Sequence, residues 1–330
     1  MRIETLSYSN VHTQGAQRRK WLFQYSPQHI QQSTALMLHA LTLRPPATSP
    51  SIVVLGAGAC TEIPIAELAH AAGDDEVVLL DLDRAAMEQG RNEIASPALR
   101  RNVRLVEADI TRGVSDNLNS LMEQRPWHKL IAQGAHAVFD AAAECLEQCA
   151  VPDPPELANV GSGFGVVISS LVLSQLFSYP LLDVLDYVQR IAPQMVGEQE
   201  RHRRYQDAAQ AFRIRVIQAH LHLLRSLLDT GGIVVLLSDI RGFVFNVYGT
   251  DHDAQHRRTM PLVPRTLPDM IRENFTIVEE SNWEWLSDLP EKERLGRGYE
   301  VAGYILQAQA QAQAQKDETP SIFNNFGLRD

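Results

Sequence analysis

Two glycines and two carboxylates in this chain stand where they could hold a nucleoside. Gly56 and Gly58 follow the apolar run Ile52 to Leu55, Asp81 ends a second apolar run, Val77 to Leu80, and Asp109 ends a third segment, NVRLVEADIT. Glycines let a ligand approach the backbone, a helix N-terminus after the turn presents free N–H groups, and a carboxylate ending the next strand accepts from ribose hydroxyls. Between the glycines and Asp81 lies an amphipathic segment with apolar Ile63, Ala66, Leu68 and Ala69. The order is strand, glycine turn, helix, strand, acid.

Position 61 separates two ligand families. A dinucleotide fingerprint wants a third glycine there, for close packing of helix on strand. The chain has Thr61, followed by Glu62. A carboxylate at this place repels a pyrophosphate and tolerates the cationic methionyl end of S-adenosylmethionine (SAM). Here the chain resembles the class I SAM-dependent methyltransferases, whose first motif reads roughly apolar run then GxGxG and whose second is an acid ending the second strand. Gly56 and Gly58 match the first two glycines, Cys60 stands at the third, and Asp81 matches the acid.

The resemblance implies SAM as cofactor. It places Gly56, Ala57, Gly58 and Glu62 along the ligand, Asp81 on the ribose with Leu82 beside it, Asp109 on the adenine amino group and Ile110 on the adenine face. An Asp after a strand can equally cap a turn or a helix. GVVISSLVLSQLFSYP, Gly165 to Pro180, looks like the family's fourth strand and the loop after it. Ligands of open α/β sheets lie beyond the carboxyl ends of the strands, so Ser169, Ser170 and Leu171 should face the reacting methyl group. The Asn/Asp-Pro-Pro-aromatic motif of DNA-base amino methyltransferases is absent. Serine replaces the Asp of metal-dependent catechol-type enzymes and aminopropyltransferases, so the resemblance implies no catalytic metal.

Other elements must position these groups. Ser26-Pro27 starts a helix that Arg44-Pro45-Pro46 stops. Residues 1–50 thus read as a helical extension, which in the family often lids the pocket and makes Tyr25 a candidate ligand contact. Trp21, Phe23 and Tyr25 could instead pack the extension onto the domain. Roughly 55 residues separate Asp109 from Gly165, more than a crossover needs, so 110–164 reads as an insertion with helices near Ser115 to Gln124 and Ala135 to Cys149. Cys145 and Cys149, one helical turn apart, suit a buried apolar face better than a metal, since no further Cys or His matches their spacing.

A buried helix face recurs from His202 to Asp229, and Thr230-Gly231-Gly232 stops it before the fifth strand, IVVLLSD. Arg201, Arg203 and Arg204 read as a solvated helix start, or as a site for an acidic substrate. Phe275 to Ser281 and Tyr299 to Gln307 can be the last two strands, an antiparallel pair at the sheet edge in this family. Asp251, His252, Asp253 and His256 lie in the segment between Asp239 and Phe275. In a helix His252 and His256 would share one face, a spacing that can hold a metal or seat a general base, for which His252 is the candidate; a polar surface loop explains the same residues. Residues 308–330 form a low-complexity tail.

Composition narrows the class. A formal net charge of -10 argues against a nucleic-acid partner. Three cysteines make no disulfide framework, which points to a reducing cytoplasm. No apolar run approaches membrane-spanning length, and MRIETLSYSN lacks the apolar core of a signal peptide, so no membrane partner is expected.

The expected fold is α/β: a seven-stranded, mostly parallel, doubly wound sheet of class I methyltransferase type over 51–307. Its last strand is antiparallel, with a helical lid before it and the insertion ahead of the fourth strand. The expected function is in-line methyl transfer from SAM to a small molecule. Two alternatives remain: a non-catalytic SAM or S-adenosylhomocysteine (SAH) binder, and a nicotinamide-dependent oxidoreductase, which Thr61 and Glu62 disfavour. Neither the nucleophilic atom of the acceptor nor the oligomeric state is legible from the residues.

Overall fold

Short runs of β-branched and leucine residues build the centre of the molecule. The structure is a computed structural model describing residues 22–195, 197, 199–245, 257–289 and 295–309. Its strands are β1 (Ile52–Leu55), β2 (Val77–Asp81), β3 (Val103–Glu107), β4 (Phe164–Ser170), β5 (Leu228–Phe245), β6 (Arg258–Pro261), β7 (Phe275–Asp288) and β8 (Gly296–Ala308). All four residues of β1 and all seven of β4 are buried, the pattern of parallel strands covered on both faces.

The sheet runs β3-β2-β1-β4-β5-β8-β7, with β6 paired to β5 off this path. Neighbours from β3 to β5 are parallel, whereas β8 is antiparallel to both β5 and β7. Dinucleotide-binding sheets use six strands in the order 3-2-1-4-5-6. Here an antiparallel strand is wedged between β5 and β7, as the class I methyltransferase architecture requires, and β6 is an addition to it.

Helices cover both faces. On one lie α1 (Pro27–Leu43), α2 (Ile65–Ala72) and α3 (Arg84–Asn92), against Ile52, Val54, Val77, Leu79 and Ile168. A short α4 (Pro97–Arg101) precedes β3. On the other lie α5 (Val114–Glu123), α6 (Trp127–Gln133), α7 (Ala135–Gln148), α8 (Leu173–Ile191), α9 (Arg203–Leu227) and α10 (Leu267–Asn274), against Val53, Leu55, Val78, Leu80 and Val167. Leu36, Met37 and Ala40 of α1 are buried in the first of these cores, which makes Pro27–Leu43 a layer of the sandwich. The hydroxyl of Ser26 donates to Leu286 O at 3.0 Å and accepts from Leu286 N at 2.8 Å, tying the start of α1 to the carboxyl end of β7.

The 110–164 interval holds α5, α6 and α7. Phe139, Val138 and Leu146 of α7 are buried in the second core, so this helix is part of the sandwich. Cys145 and Cys149 are buried beside them. The stretch after β4 needs correction: it is the 19-residue helix α8, with Pro180 inside it, and not a loop. Proline removes one backbone donor from a helix. Phe177, Leu181, Val184 and Val188, buried at three- and four-residue steps, outweigh that loss. Among the described residues no helix is long and apolar enough to cross a membrane.

Candidate functional site

The turn after β1 is shaped by left-handed residues. Gly56 N and Ala57 N donate to Leu80 O at 2.9 and 3.2 Å, which fixes the turn against the end of β2. Gly56 has φ 72°, and a Cβ there would lie 2.8 Å from Val172 Cβ and 2.9 Å from Ser170 O. Gly58 has φ 46°, yet a Cβ on it would meet nothing within 4 Å. The two glycines therefore serve different ends. Gly56 lets β1 close on the β4–α8 connection, and Gly58 leaves open space above the backbone.

Cys60, which stands where the family's third glycine would, keeps the left-handed conformation at φ 52°. An L-residue there costs on the order of 1–2 kcal/mol. Its thiol is buried, and Sγ lies 2.7 Å from where a Cβ on Gly90 would sit. Gly90→Ala should therefore overpack the contact between the turn and α3 and destabilise the protein by about 1–3 kcal/mol. Urea melts would show it; an unchanged midpoint would mean that the turn and helix move apart freely.

Asp81 reaches across to this turn. Its Oδ2 accepts from Gly58 N at 2.9 Å and its Oδ1 from Asp83 N at 3.0 Å. Each carboxylate oxygen has two lone pairs, so both keep capacity for a further donor. Leu82 beside it is 48 % exposed. The helix after the turn is a correction to the sequence reading. α2 begins only at Ile65, with Pro64 as its N-cap, so no helix N-terminus presents N–H groups at Gly58. The cradle that a pyrophosphate would use is missing. Instead Glu62 comes near, its Oε1 accepting from Ser170 Oγ at 3.2 Å.

Neighbouring strand residues point to opposite faces, and this separates the two serines expected to face the methyl group. Ser170 turns toward Glu62. Ser169 is fully buried on the other face, its Oγ 2.8 Å from His220 Nε2 of α9, so it does not line the open edge. Leu171 has φ 53° and donates its N–H to Leu237 O at 3.0 Å. A strained residue at the carboxyl end of a central strand is the kind of outlier that collects at functional sites.

Asp109 closes a turn of its own. Its carboxylate accepts from Thr111 N at 2.8 Å, Gly113 N at 2.6 Å and the Thr111 hydroxyl at 2.8 and 2.9 Å. Three donors meet a group with about four lone-pair sites, so the carboxylate closes its own turn and keeps capacity for a further donor. Ile110 is 5 % exposed and belongs to the second core. Tyr25 lies just before Ser26, whose hydroxyl is bonded to Leu286 of β7, and is 38 % exposed. Asp251, His252, Asp253 and His256 lie outside the described residues. Among the described residues no group of three or more His, Cys, Asp or Glu is placed to hold a metal ion.

Sequence reasoning passed over His220, because one polar residue in a long apolar helix face carries little signal. Burial pushes its imidazole down to about 4. In the unfolded chain a histidine titrates near about 6.5, so acid favours the unfolded state, which takes up the proton first. Stability should be full above about pH 6.5 and fall by about 3 kcal/mol as pH drops toward 4. Urea melts across that range test this, with His220→Leu flattening the fall; equal slopes in both proteins would remove His220 as its source.

Sheet order, the antiparallel β8, the glycine turn and Asp81 together define a class I methyltransferase fold. No family model and no curated protein matches the chain. Among solved structures it is similar to a SAM-dependent methyltransferase from Aquifex aeolicus, at 9% identity over 89% of this chain and 98% of that one, TM-score 0.38. It is also similar to the MccD protein, at 9% identity over 83% and 96%, TM-score 0.39. A third is the glycopeptide N-methyltransferase MtfA complexed with sinefungin, at 12% identity over 81% and 92%, TM-score 0.36.

Proposed function

We propose that this chain is a SAM-dependent methyltransferase acting on a small molecule. The observation that carries the reading is the pairing of open, left-handed Gly58 with the Asp81 carboxylate that accepts its N–H. An adenosyl group laid over Gly58 brings its ribose hydroxyls to the remaining lone pairs of Asp81. Glu62 faces the cationic methionyl end, and Ser170 holds that carboxylate in place. Bound SAM supplies a methyl group on a sulfonium, already a good leaving group. The protein's part is then to align an acceptor in line with the methyl and to exclude water. We assign this part to Leu171, at the end of β4, and to Tyr25.

The late start of α2 and the antiparallel β8 both disfavour a nicotinamide cofactor. Incubation with methyl-labelled SAM and small-molecule extracts tests turnover. A labelled small molecule is the expected result. Label confined to macromolecules would refute the acceptor class. No label in any extract would turn the reading to a protein that binds SAM without using it.

A further inference from the structure

We propose that Arg213 receives an anionic group of the methyl acceptor, a carboxylate or a phosphate, so that the small molecule this chain methylates is an acid. This rests on the reading above that the chain is a methyltransferase. Arg213 is half-buried in α9, and its Nε, shielded from solvent, has no hydrogen-bond partner. Among the described residues no carboxylate pairs with it. The one ionisable group that acts on it is the Tyr205 phenol, which burial pushes up to about 12 and so keeps neutral. Burial in turn lowers the guanidinium, as expected of a cation that has lost water and gained no counter-ion. Neighbouring arginines are engaged. Arg215, on the same helix, donates to Leu146 O at 2.6 Å and Cys149 O at 2.9 Å, and Arg204 pairs with Glu144 and Glu147.

The place suits an acceptor. α9 runs antiparallel to β4: Leu227, its last residue, accepts from Gly163 N just before that strand, and His220 meets Ser169 near the strand's end. Arg213 precedes His220 on the same face of the helix, two turns or about 10 Å nearer its start. It therefore stands past Ser170, where β4 ends, beyond the same carboxyl edge that carries Leu171 and the glycine turn. Ligands of such sheets lie along that edge. A cation taken out of water without a counter-ion costs free energy and adds nothing to the core. A carboxylate or a phosphate answers it with two parallel hydrogen bonds to the planar fork, a geometry that a lysine ammonium does not give.

The test has two arms. In urea melts Arg213→Met should be as stable as wild type or more so, because an apolar chain replaces a cation without a counter-ion. A lower midpoint would make Arg213 a structural residue and overturn the proposal. In the second arm wild type turns over methyl-labelled SAM on a small-molecule extract, and the product is passed over an anion-exchange resin. Retained label is expected; label only in the flow-through overturns the proposal. Treating the extract with phosphatase beforehand abolishes the label for a phosphate monoester and leaves it for a carboxylate. With the active fraction as substrate, Arg213→Met should raise KM for the acceptor about tenfold to a hundredfold, the worth of hydrogen bonds to a charged group, and leave KM for SAM unchanged. Arg213→Lys should restore part of the loss. An acceptor KM equal to wild type in Arg213→Met, or a loss shared by SAM, overturns the proposal. No label in any fraction removes the methyltransferase reading, and the proposal with it.

Discussion

Gly58→Ala is expected to leave the protein folded and to weaken SAH binding about a hundredfold, near 2.7 kcal/mol. The physical ground is the empty space above this residue. A methyl there meets no protein atom within 4 Å, so folding bears only the left-handed strain, on the order of 1–2 kcal/mol. The ligand, which would lie in that space, meets the methyl directly. Gly56→Ala is the contrast. Its Cβ would sit 2.8 Å from Val172 Cβ and 2.9 Å from a backbone oxygen, and neither can step aside without parting β1 from the start of α8. It should lose stability by roughly 3 kcal/mol or more, through overpacking and strain together. Thermal melts and calorimetry on both variants separate the two roles. Gly58→Ala with wild-type affinity would mean that the space is not where the ligand lies.

The second large effect is at Asp81. Asp81→Ala should weaken SAH binding by about 1.5–3 kcal/mol, the worth of hydrogen bonds to a charged group. The same change frees Gly58 N and Asp83 N, so part of any loss could come from a loosened turn. Asp81→Asn divides the two effects, because its amide oxygen still accepts from one of these N–H groups while the charge is gone. Affinity lost in both variants, with melting near wild type in Asp81→Asn, is the expected pattern. Undiminished affinity in Asp81→Ala would put the ribose elsewhere.

What the residues disclosed in advance was mostly local. Gly56, Gly58 and Asp81 were legible because strand, turn and strand-end chemistry depends on a few neighbours. α9 was legible because its apolar face repeats over 25 residues. Less legible was whatever depends on packing from afar. The residues up to Pro180 read as a loop after the fourth strand, and only the second core shows why a helix runs through that proline. Ser169 and Ser170 read alike until the strand assigns them opposite faces, one to His220 and one to Glu62. Asp109 could cap or bind, and its carboxylate closes the Thr111–Gly113 turn while keeping capacity for one more donor. The late start of α2, set by Pro64, was hidden by the apolar spacing that continues through Ile63.

The acidic surface and its ion pairs add little to the functional argument. Arg203 with Asp207, and Arg204 with Glu144 and Glu147, are exposed pairs at the start of α9, of a kind that water and salt largely screen. The basic run at 201–204 is in this respect a solvated helix start.

The central claim is that an adenosyl ligand, not a dinucleotide, lies across the turn at Gly58 with its sugar on Asp81. Calorimetric titration of the wild-type protein with SAH and, separately, with NAD tests it most directly. One SAH bound per chain, with no heat from NAD, is the result this account predicts. Saturable binding of NAD with none of SAH would contradict it.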